Sequence, residues 1–131
     1  MGSLSISRRL FDQTFKFFAR SLDVRTLNHK VLSGNIANAE TPDYLAKSVP
    51  FQKVLERSLE GEPSTSLKRT HPRHLPEDTD EDSRVETTSE AVDIDKEMQK
   101  LAENNVMFQA GVQMLVRKFE ALKFTILDIG R

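Results

Sequence analysis

The chain contains no cysteine and no tryptophan, only one tyrosine, and no long run of apolar residues. Without cysteine, neither a disulfide framework nor a thiolate zinc site can form. Without a run of about 18 apolar residues, no segment is predicted to span a bilayer. The opening residues, MGSLSISRR, lack the apolar core and small-residue cleavage site of a secretory signal, so any export is expected to proceed without a cleaved leader.

The chain also has no large excess of positive or negative charge, because its formal net charge is only −1. No overall basic field therefore favours binding to nucleic acid or to an anionic membrane. Apolar residues make up 37% of the 131 residues, which is lean for a small domain. We expect neighbouring chains to complete part of the core.

The sequence lacks the motifs that carry catalysis. Its five glycines are scattered singly, so no phosphate-binding loop is available, and no nucleophile motif appears. His71 and His74 are separated by a proline and an arginine, with no third metal ligand nearby. The acidic run Glu77–Asp82 lacks the glycine and bidentate glutamate of a calcium loop, so we interpret it as solvated. We predict no catalytic, cofactor or metal site and no small-molecule substrate.

A heptad pattern near the C-terminus is the strongest feature that is present. It predicts one helix over Ile94–Asp128, with Asp93 as its N-cap and Gly130 as its stop. Asn105 is the polar exception, and it either fixes register and partner number or lies at a solvated edge. We predict that the seam of this helix drives assembly through these residues: Met98, Leu101, Asn105, Phe108, Val112, Leu115, Phe119 and Leu122.

A second long helix is predicted near the N-terminus, because no proline or glycine lies between Ser7 and Gly34. Its apolar residues form two separate faces on a helical projection, and two faces indicate burial on two sides. One face contains Phe11, Phe15, Phe18 and Leu22, and the other contains Leu10, Phe17, Val24, Leu27 and Val31.

Between these helices, Phe51–Glu60 is predicted to form a short helix. From Gly61 to Ala91 the chain is polar and buries too little surface to offset its ordering entropy, so we predict a long loop that is disordered outside the assembly. The expected fold is all-α, with the long N- and C-terminal helices paired as a coiled-coil-like hairpin. Residues 1–38 and 92–131 then form one discontinuous helical core, and residues 39–91 hold the turn, the short helix and the loop.

A turn motif follows the first helix, with the sequence NIANAETPDY from Asn35 to Tyr44. The chain should leave the helix here, since proline disfavours helix in the residue before it, and Tyr44 can then fold back and pack. The segment resembles the signature of flagellar rod, hook and hook-associated axial proteins, in which Asn-(Ile/Leu)-Ala-Asn precedes Thr-Pro-Gly-Tyr. Asp43 replaces the glycine of that signature and makes a left-handed turn less comfortable. The candidate motif residues are Asn35, Ile36, Ala37, Asn38, Thr41, Pro42 and Tyr44.

Two further stretches, THPRHL from Thr70 and VDIDKEM from Val92, resemble the proximal rod members of this family. The resemblance implies a structural subunit of the bacterial flagellar basal body that forms part of the proximal rod by helical self-assembly. It also implies a location in the periplasmic rod, reached unfolded through the flagellar type III export apparatus without a cleaved signal.

The implied partners are other copies of the chain, FlgC-like rod proteins, a FliE-like adaptor, the FliF membrane ring and the export gate. Phe11 and Phe15 match the loose Phe-x-x-x-hydrophobic pattern associated with export-gate recognition, as do Phe51 and Leu55. Core packing explains these residues equally well.

A stand-alone coiled-coil adaptor or secretion chaperone is the alternative function, because helical periodicity alone supports it equally. The two hypotheses differ in their assembly behaviour. A chaperone should be a well-folded dimer of fixed stoichiometry, whereas a rod subunit should be partly disordered alone and polymerise only at its site.

Overall fold

The computed structural model describes residues 2–60 and 83–129, with side chains described for residues 12–60 and 83–126. The two long helices pack antiparallel, so that Asn35 lies beside Glu97 and Phe15 beside Phe119. This arrangement confirms the predicted all-α class, with paired terminal helices and a short middle helix. In chain order the elements are helix α1 (Gly2–Ala37), strand β1 (Leu45–Ser48), helix α2 (Phe51–Glu60), strand β2 (Glu86–Ala91) and helix α3 (Ile94–Ile129).

Helix α1 is longer than the absence of proline and glycine predicts, since it continues past Gly34 to Ala37. Glycine inside a helix costs about 1 kcal/mol relative to alanine, which packing against other elements can outweigh. Here α1 contacts α3, α2 and β1, so its last turn is held by tertiary contacts. The side chain of the next asparagine, Asn38, then ends the helix.

Helix α3 begins at the predicted N-cap. The Asp93 carboxylate accepts a hydrogen bond from the backbone N–H of Lys96 at 3.2 Å, and the Asp93 carbonyl accepts one from Glu97 at 3.0 Å. The bond from the Lys96 N–H lowers the pKa of Asp93 below its usual value. The contribution of this carboxylate to stability is therefore present above the unfolded-state pKa and is lost as the pH falls through the lower folded-state pKa.

Strands β1 and β2 form a small antiparallel sheet that the sequence analysis does not predict. Leu45 pairs with Ala91 and Lys47 with Thr87, with an irregularity between Leu45 and Lys47. The Thr88 hydroxyl donates to the Ala46 carbonyl at 2.8 Å, so a threonine side chain strengthens the pairing. Strand β2 thus occupies the last part of Gly61–Ala91, the stretch for which the sequence predicts a loop. Residues 61–82, which make up most of the rest of that stretch and include His71 and His74, lie outside the described residues.

The apolar core is small and sits around the C-terminal half of α1. Arg25 on α1 holds its guanidinium 4.5 Å from the centroid of the Phe51 ring on α2, which seats the short helix against the long one. Helix α1 therefore contacts both α3 and α2 within the subunit. Burial of its two apolar faces on two sides stays a prediction. The buried apolar side chains are Val24, Leu27, Leu32, Val54 and Leu55.

Among the described residues, no helix combines the length and hydropathy that crossing a bilayer requires. The same part of the chain contains no group of three histidine, aspartate or glutamate side chains arranged to hold a metal ion. The division into residues 1–38 with 92–131 and residues 39–91 stays a prediction.

Candidate functional site

The turn motif closes the C-terminal end of α1. The Asn38 side-chain amide donates to the Gly34 carbonyl at 2.8 Å, which satisfies a carbonyl in the last turn of the helix. Beyond it, the Thr41 N–H donates to the Asn38 carbonyl at 3.0 Å and the Tyr44 N–H to the Thr41 carbonyl at 3.3 Å. These successive turns lead the chain from the end of α1 into β1.

Asn35 lies at the centre of the motif and is completely buried, with 0% of its surface exposed. Its Nδ2 donates to the Lys47 carbonyl and to Glu97 Oε2, both at 2.7 Å. Its Oδ1 accepts from the Lys47 N–H at 2.9 Å and from the Tyr44 hydroxyl at 3.4 Å. Both donors and both acceptor sites of the carboxamide are therefore used. One side chain joins α1, β1 and α3.

Glu97 is the main partner of Asn35 on α3, and only 3% of its surface is exposed. A buried carboxylate is costly unless it is paired and hydrogen-bonded. Here Oε2 accepts from Asn35, and Oε1 lies 2.7 Å from the ammonium of Lys100, which reaches in from solvent. The carboxylate is thus satisfied on both oxygens, but only while Asn35 stays in place.

The remaining motif residues lie around this centre without entering it. Ile36 is half-buried in the last turn of α1, whereas Ala37, Thr41 and Pro42 are exposed. The structure therefore brings Asn35 and Tyr44 together and uses Asn38 and Thr41 for the turn itself. It gives no buried contact to Pro42, whose rigid ring suits the turn.

Asp43 adopts a left-handed backbone conformation with φ of 59°. Among the residues the structure describes, it is the non-glycine residue with a positive φ. The signature that this motif resembles has glycine at the same position, and glycine is the residue that adopts a positive φ most readily. Aspartate tolerates this region better than most residues.

We expect Asp43→Gly to preserve or raise the free energy of unfolding and Asp43→Val to lower it. A β-branched residue at positive φ costs about 1–3 kcal/mol, while glycine removes the strain at a smaller entropic cost. Urea unfolding of the purified variants, followed by circular dichroism, measures both changes. Equal stability of the two variants would contradict the left-handed turn.

A second buried polar pair lies one heptad further along the hairpin. Asn104, which is 3% exposed, donates from Nδ2 to the Arg25 carbonyl at 2.9 Å. Its Oδ1 accepts from Asn28 Nδ2 at 3.3 Å. The next contact along the hairpin is close and apolar, because a Cβ added to Gly111 would lie 3.0 Å from the Leu22 side chain. Polar pairs and a close approach thus line the contact between α1 and α3.

The seam residues predicted on α3 fall into two groups. Leu101, Phe108, Leu115 and Leu122 are half-buried along the contact with α1. The other group is exposed and contains Met98, Asn105, Val112 and Phe119. The inner face is completed instead by the residues one position earlier, which are Glu97, Asn104, Gly111 and Lys118. Asn105 itself is exposed, and its neighbour Asn104 is buried. The prediction that the exposed seam residues face other chains stays a prediction.

The aromatic residues of α1 near the predicted export pattern are partly open. Phe15 is 39% exposed and meets Phe119 edge-on, with ring centroids 5.4 Å apart. The side chain of Phe11 lies outside the described residues. Phe51 and Leu55, which also fit the pattern, pack in the fold, with Leu55 buried. The export pattern stays a prediction for both pairs.

Sequence reasoning missed Glu97 and Asn104 as site residues. Glu97 carries no signal of its own, because an acid in the first turn of a helix is already explained by the helix dipole. The available signal is a matched heptad spacing, since Asn28 and Asn35 on α1 are as far apart as Glu97 and Asn104 on α3. Polar residues repeating at the heptad period on both helices indicate paired buried positions.

Together these features define the class of the protein: a helical-hairpin structural subunit of the axial-protein type, with its turn motif buried against the C-terminal helix. No family model matches the chain. The flagellar basal body rod protein FlgB of Bacillus subtilis (strain 168) is 36% identical over 133 residues, covering 93% of this chain and 98% of that protein. FlgB of Yersinia ruckeri is 31% identical over 79% of this chain and 86% of its own length. FlgB of Escherichia coli (strain K12) is 27% identical over 91% and 96%.

The chain belongs to the FlgB family of flagellar basal body rod proteins. The resemblance carried by the turn motif is therefore confirmed, and the chain is a structural component of the flagellar basal body rod.

Proposed function

We propose that this chain builds part of the proximal rod by helical self-assembly, using apolar residues on the outer surface of α3 as its contact faces. The observation that carries the proposal is the amount of apolar surface that α3 leaves open. Met107 is 55% exposed, Phe119 50% and Phe124 75%. Contiguous exposed apolar surface on a protein that folds in water marks a site of interaction.

The distribution of these residues supports more than one neighbour. Taking 3.6 residues per turn, Met98, Val112 and Phe119 lie about a quarter-turn to one side of the face that contacts α1, and Met107 and Met114 lie about a quarter-turn to the other. A two-stranded coiled coil covers one stripe of each helix. Open apolar residues on both flanks therefore favour a lattice with several neighbours over the alternative, a stand-alone dimeric adaptor or chaperone.

We expect Met114→Asp to block incorporation into the rod while leaving the helix content of the purified subunit unchanged. Met114 is 52% exposed, so a carboxylate there stays hydrated in the free subunit. In a packed interface the same carboxylate loses its water without a partner. Swimming on soft agar and the amount of the chain in purified basal bodies measure the effect.

Gln113→Asp is the matched control, because Gln113 is the exposed polar neighbour on the same helix. It should swim and assemble normally. Normal rod incorporation of Met114→Asp would show that the side of α3 containing Met107 and Met114 is not an assembly contact. A wild-type chain that sediments as a stable dimer of fixed stoichiometry, without forming higher assemblies in any condition, would favour the chaperone alternative.

The proposed location is the periplasmic part of the basal body, reached through the flagellar export apparatus without a cleaved signal. The proposed neighbours are further copies of the chain, FlgC-like rod proteins, a FliE-like adaptor, the FliF membrane ring and the export gate. Family membership supports these partners as a group. The proposed role is structural and requires no catalysis, cofactor or small-molecule substrate.

Tyr44→Ala is expected to impair rod incorporation more than expression. The Tyr44 ring is half-buried, and its loss removes packing from the turn that carries the chain out of α1. Immunoblots of whole cells and of basal-body fractions separate expression from incorporation.

Tyr44→Phe is the control for the hydroxyl group. The hydroxyl lies 3.4 Å from Asn35 Oδ1, which is long for an O–H···O hydrogen bond. The phenylalanine variant should therefore assemble nearly normally. If the alanine variant swims like the wild type, the packing of the ring has no role in assembly.

A further inference from the structure

The contact between α1 and α3 is lined by rungs of different chemistry rather than by a uniform apolar seam. In order along the hairpin, Asn35 meets Glu97, Asn28 meets Asn104, and Leu22 meets Gly111. Phe15 meets Phe119 one further step along. The spacing between rungs is close to one heptad on each helix.

An apolar heptad seam by itself leaves register poorly defined. If α3 slides along α1 by one heptad, each of Leu101, Phe108 and Leu115 moves to the position of the next large apolar side chain of the series. The buried apolar area therefore changes little. Such a slide displaces the helices by about 10 Å at 1.5 Å per residue. The two-stranded sheet is too small to define the register alone, since an isolated strand pair is marginally stable.

The polar and glycine rungs do not tolerate that slide. In one direction the Asn104 amide comes opposite Leu22 and loses its partners while buried. In the other direction Lys118 takes the place of Gly111, where even a methyl group would lie only 3.0 Å from the Leu22 side chain. Every rung matches in the observed register, and at least one fails in each neighbouring register.

We infer that the rungs Asn35–Glu97, Asn28–Asn104 and Leu22–Gly111 are a register lock, which fixes the axial position of α3 on α1. The lock determines where the open apolar residues of the two helices lie along the hairpin. The inference concerns the subunit alone and does not rest on the proposed mode of assembly. A polar residue at a buried heptad position specifies register in the same way, at a cost in stability.

The test uses spin labels on the purified chain, which has no native cysteine to interfere. Cysteines introduced at the exposed positions Lys16 and Gln99 carry the labels, which are about 25 Å apart along the axis in the observed register. The otherwise wild-type chain should give one narrow distance distribution when it is measured by pulsed electron–electron double resonance.

The variant removes both polar rungs and provides a glycine for the shifted register: Asn28→Leu, Asn35→Leu, Glu97→Leu and Asn104→Gly. After the slide, glycine at position 104 takes the place of Gly111 beside Leu22, so the close approach is kept. Replacing both members of a buried polar pair is often close to neutral for stability. The variant also removes the bonds from Asn35 to the Lys47 backbone and from Asn104 to the Arg25 carbonyl, so we expect a hairpin that is less stable but still formed.

We expect a second distance, shorter by about 10 Å, because the slide that brings position 104 opposite Leu22 is now permitted. The control carries Glu103→Leu and Asn105→Leu at exposed positions of the same helix and should keep the single wild-type distance.

Circular dichroism on the same samples shows whether each variant is folded, and this decides how its distance distribution is interpreted. A folded variant with only the wild-type distance would overturn the lock. An unfolded variant would overturn it as well, because the rungs would then supply stability rather than register. A broad distribution already present in the wild-type chain would show that its register is not fixed.

Discussion

Asn35→Ala is expected to cost about 3–5 kcal/mol of unfolding free energy and to abolish swimming. The substitution removes four hydrogen-bonding contacts at once and leaves Glu97 Oε2 buried without a donor. The cost comes from several buried groups at once, because Glu97 Oε2 and the Lys47 N–H and carbonyl lose this partner while Lys100 still pairs with Glu97 Oε1. The free energy of unfolding of a whole domain is only about 5–15 kcal/mol, and the apolar core of this chain is small. Thermal and urea unfolding of the purified subunit measure the loss.

Two asparagine controls make the result specific to the buried position. Asn105→Ala removes an exposed carboxamide from α3 and should leave stability nearly unchanged. Asn38→Ala removes the 2.8 Å bond to the Gly34 carbonyl and a longer, exposed contact of 3.4 Å with the Thr41 hydroxyl, and it should cost about 1 kcal/mol. If Asn35→Ala loses no more than Asn38→Ala, then the contact between Asn35 and Glu97 does not hold the subunit together.

The long helices and their pairing follow from sequence because their causes are local. An uninterrupted heptad pattern predicted α3, and Asp93 was found at its cap by residue type alone. Proline and glycine flanking Phe51–Glu60 predicted α2 to the residue. The strand β2 escaped prediction because five polar residues followed by one alanine, with no apolar alternation, carry no strand signal. Their pairing depends on β1, which is distant in sequence.

Periodicity predicted the existence of α3 correctly and half of the face that it turns toward α1. The predicted seam residues Leu101, Phe108, Leu115 and Leu122 lie along that contact, whereas Met98, Val112 and Phe119 are exposed. The inner face is completed instead by Glu97, Asn104 and Gly111 at the preceding positions. A self-contained domain buries its most apolar stripe. If the exposed residues contact neighbouring chains, as proposed above, then the hairpin can be closed by polar pairs while the apolar stripe remains for assembly.

The turn motif marks which residues matter, but its sequence does not show their contacts. Asn35 and Glu97 are separated by 62 positions, so their hydrogen bond depends on the pairing of the whole hairpin. Sequence reasoning placed Asn35 in a turn, and the structure places it inside α1 as the side chain on which three elements converge. A fully satisfied carboxamide in that position cannot be inferred from turn propensity.

Leu115→Asp is expected to leave export of the chain largely intact and to abolish rod incorporation. Leu115 is half-buried on the inner face of α3, between the contacts of Gly111 and Phe119 with α1. Truncating a buried leucine costs about 2–5 kcal/mol, and an unpaired carboxylate at the same place adds the cost of desolvation. The hairpin itself should therefore open, which distinguishes this variant from Met114→Asp, whose free subunit stays folded.

The expected signature of Leu115→Asp is a loss of helix signal in the purified chain, together with its absence from basal bodies and its presence outside the cytoplasm. Lys118 is unsuitable as the control because it is half-buried on the inner face and has a partner in the structure. Lys123 is exposed on the same helix, so Lys123→Asp should keep both the helix signal and swimming. Functional rods built from Leu115→Asp would show that assembly does not need the paired hairpin.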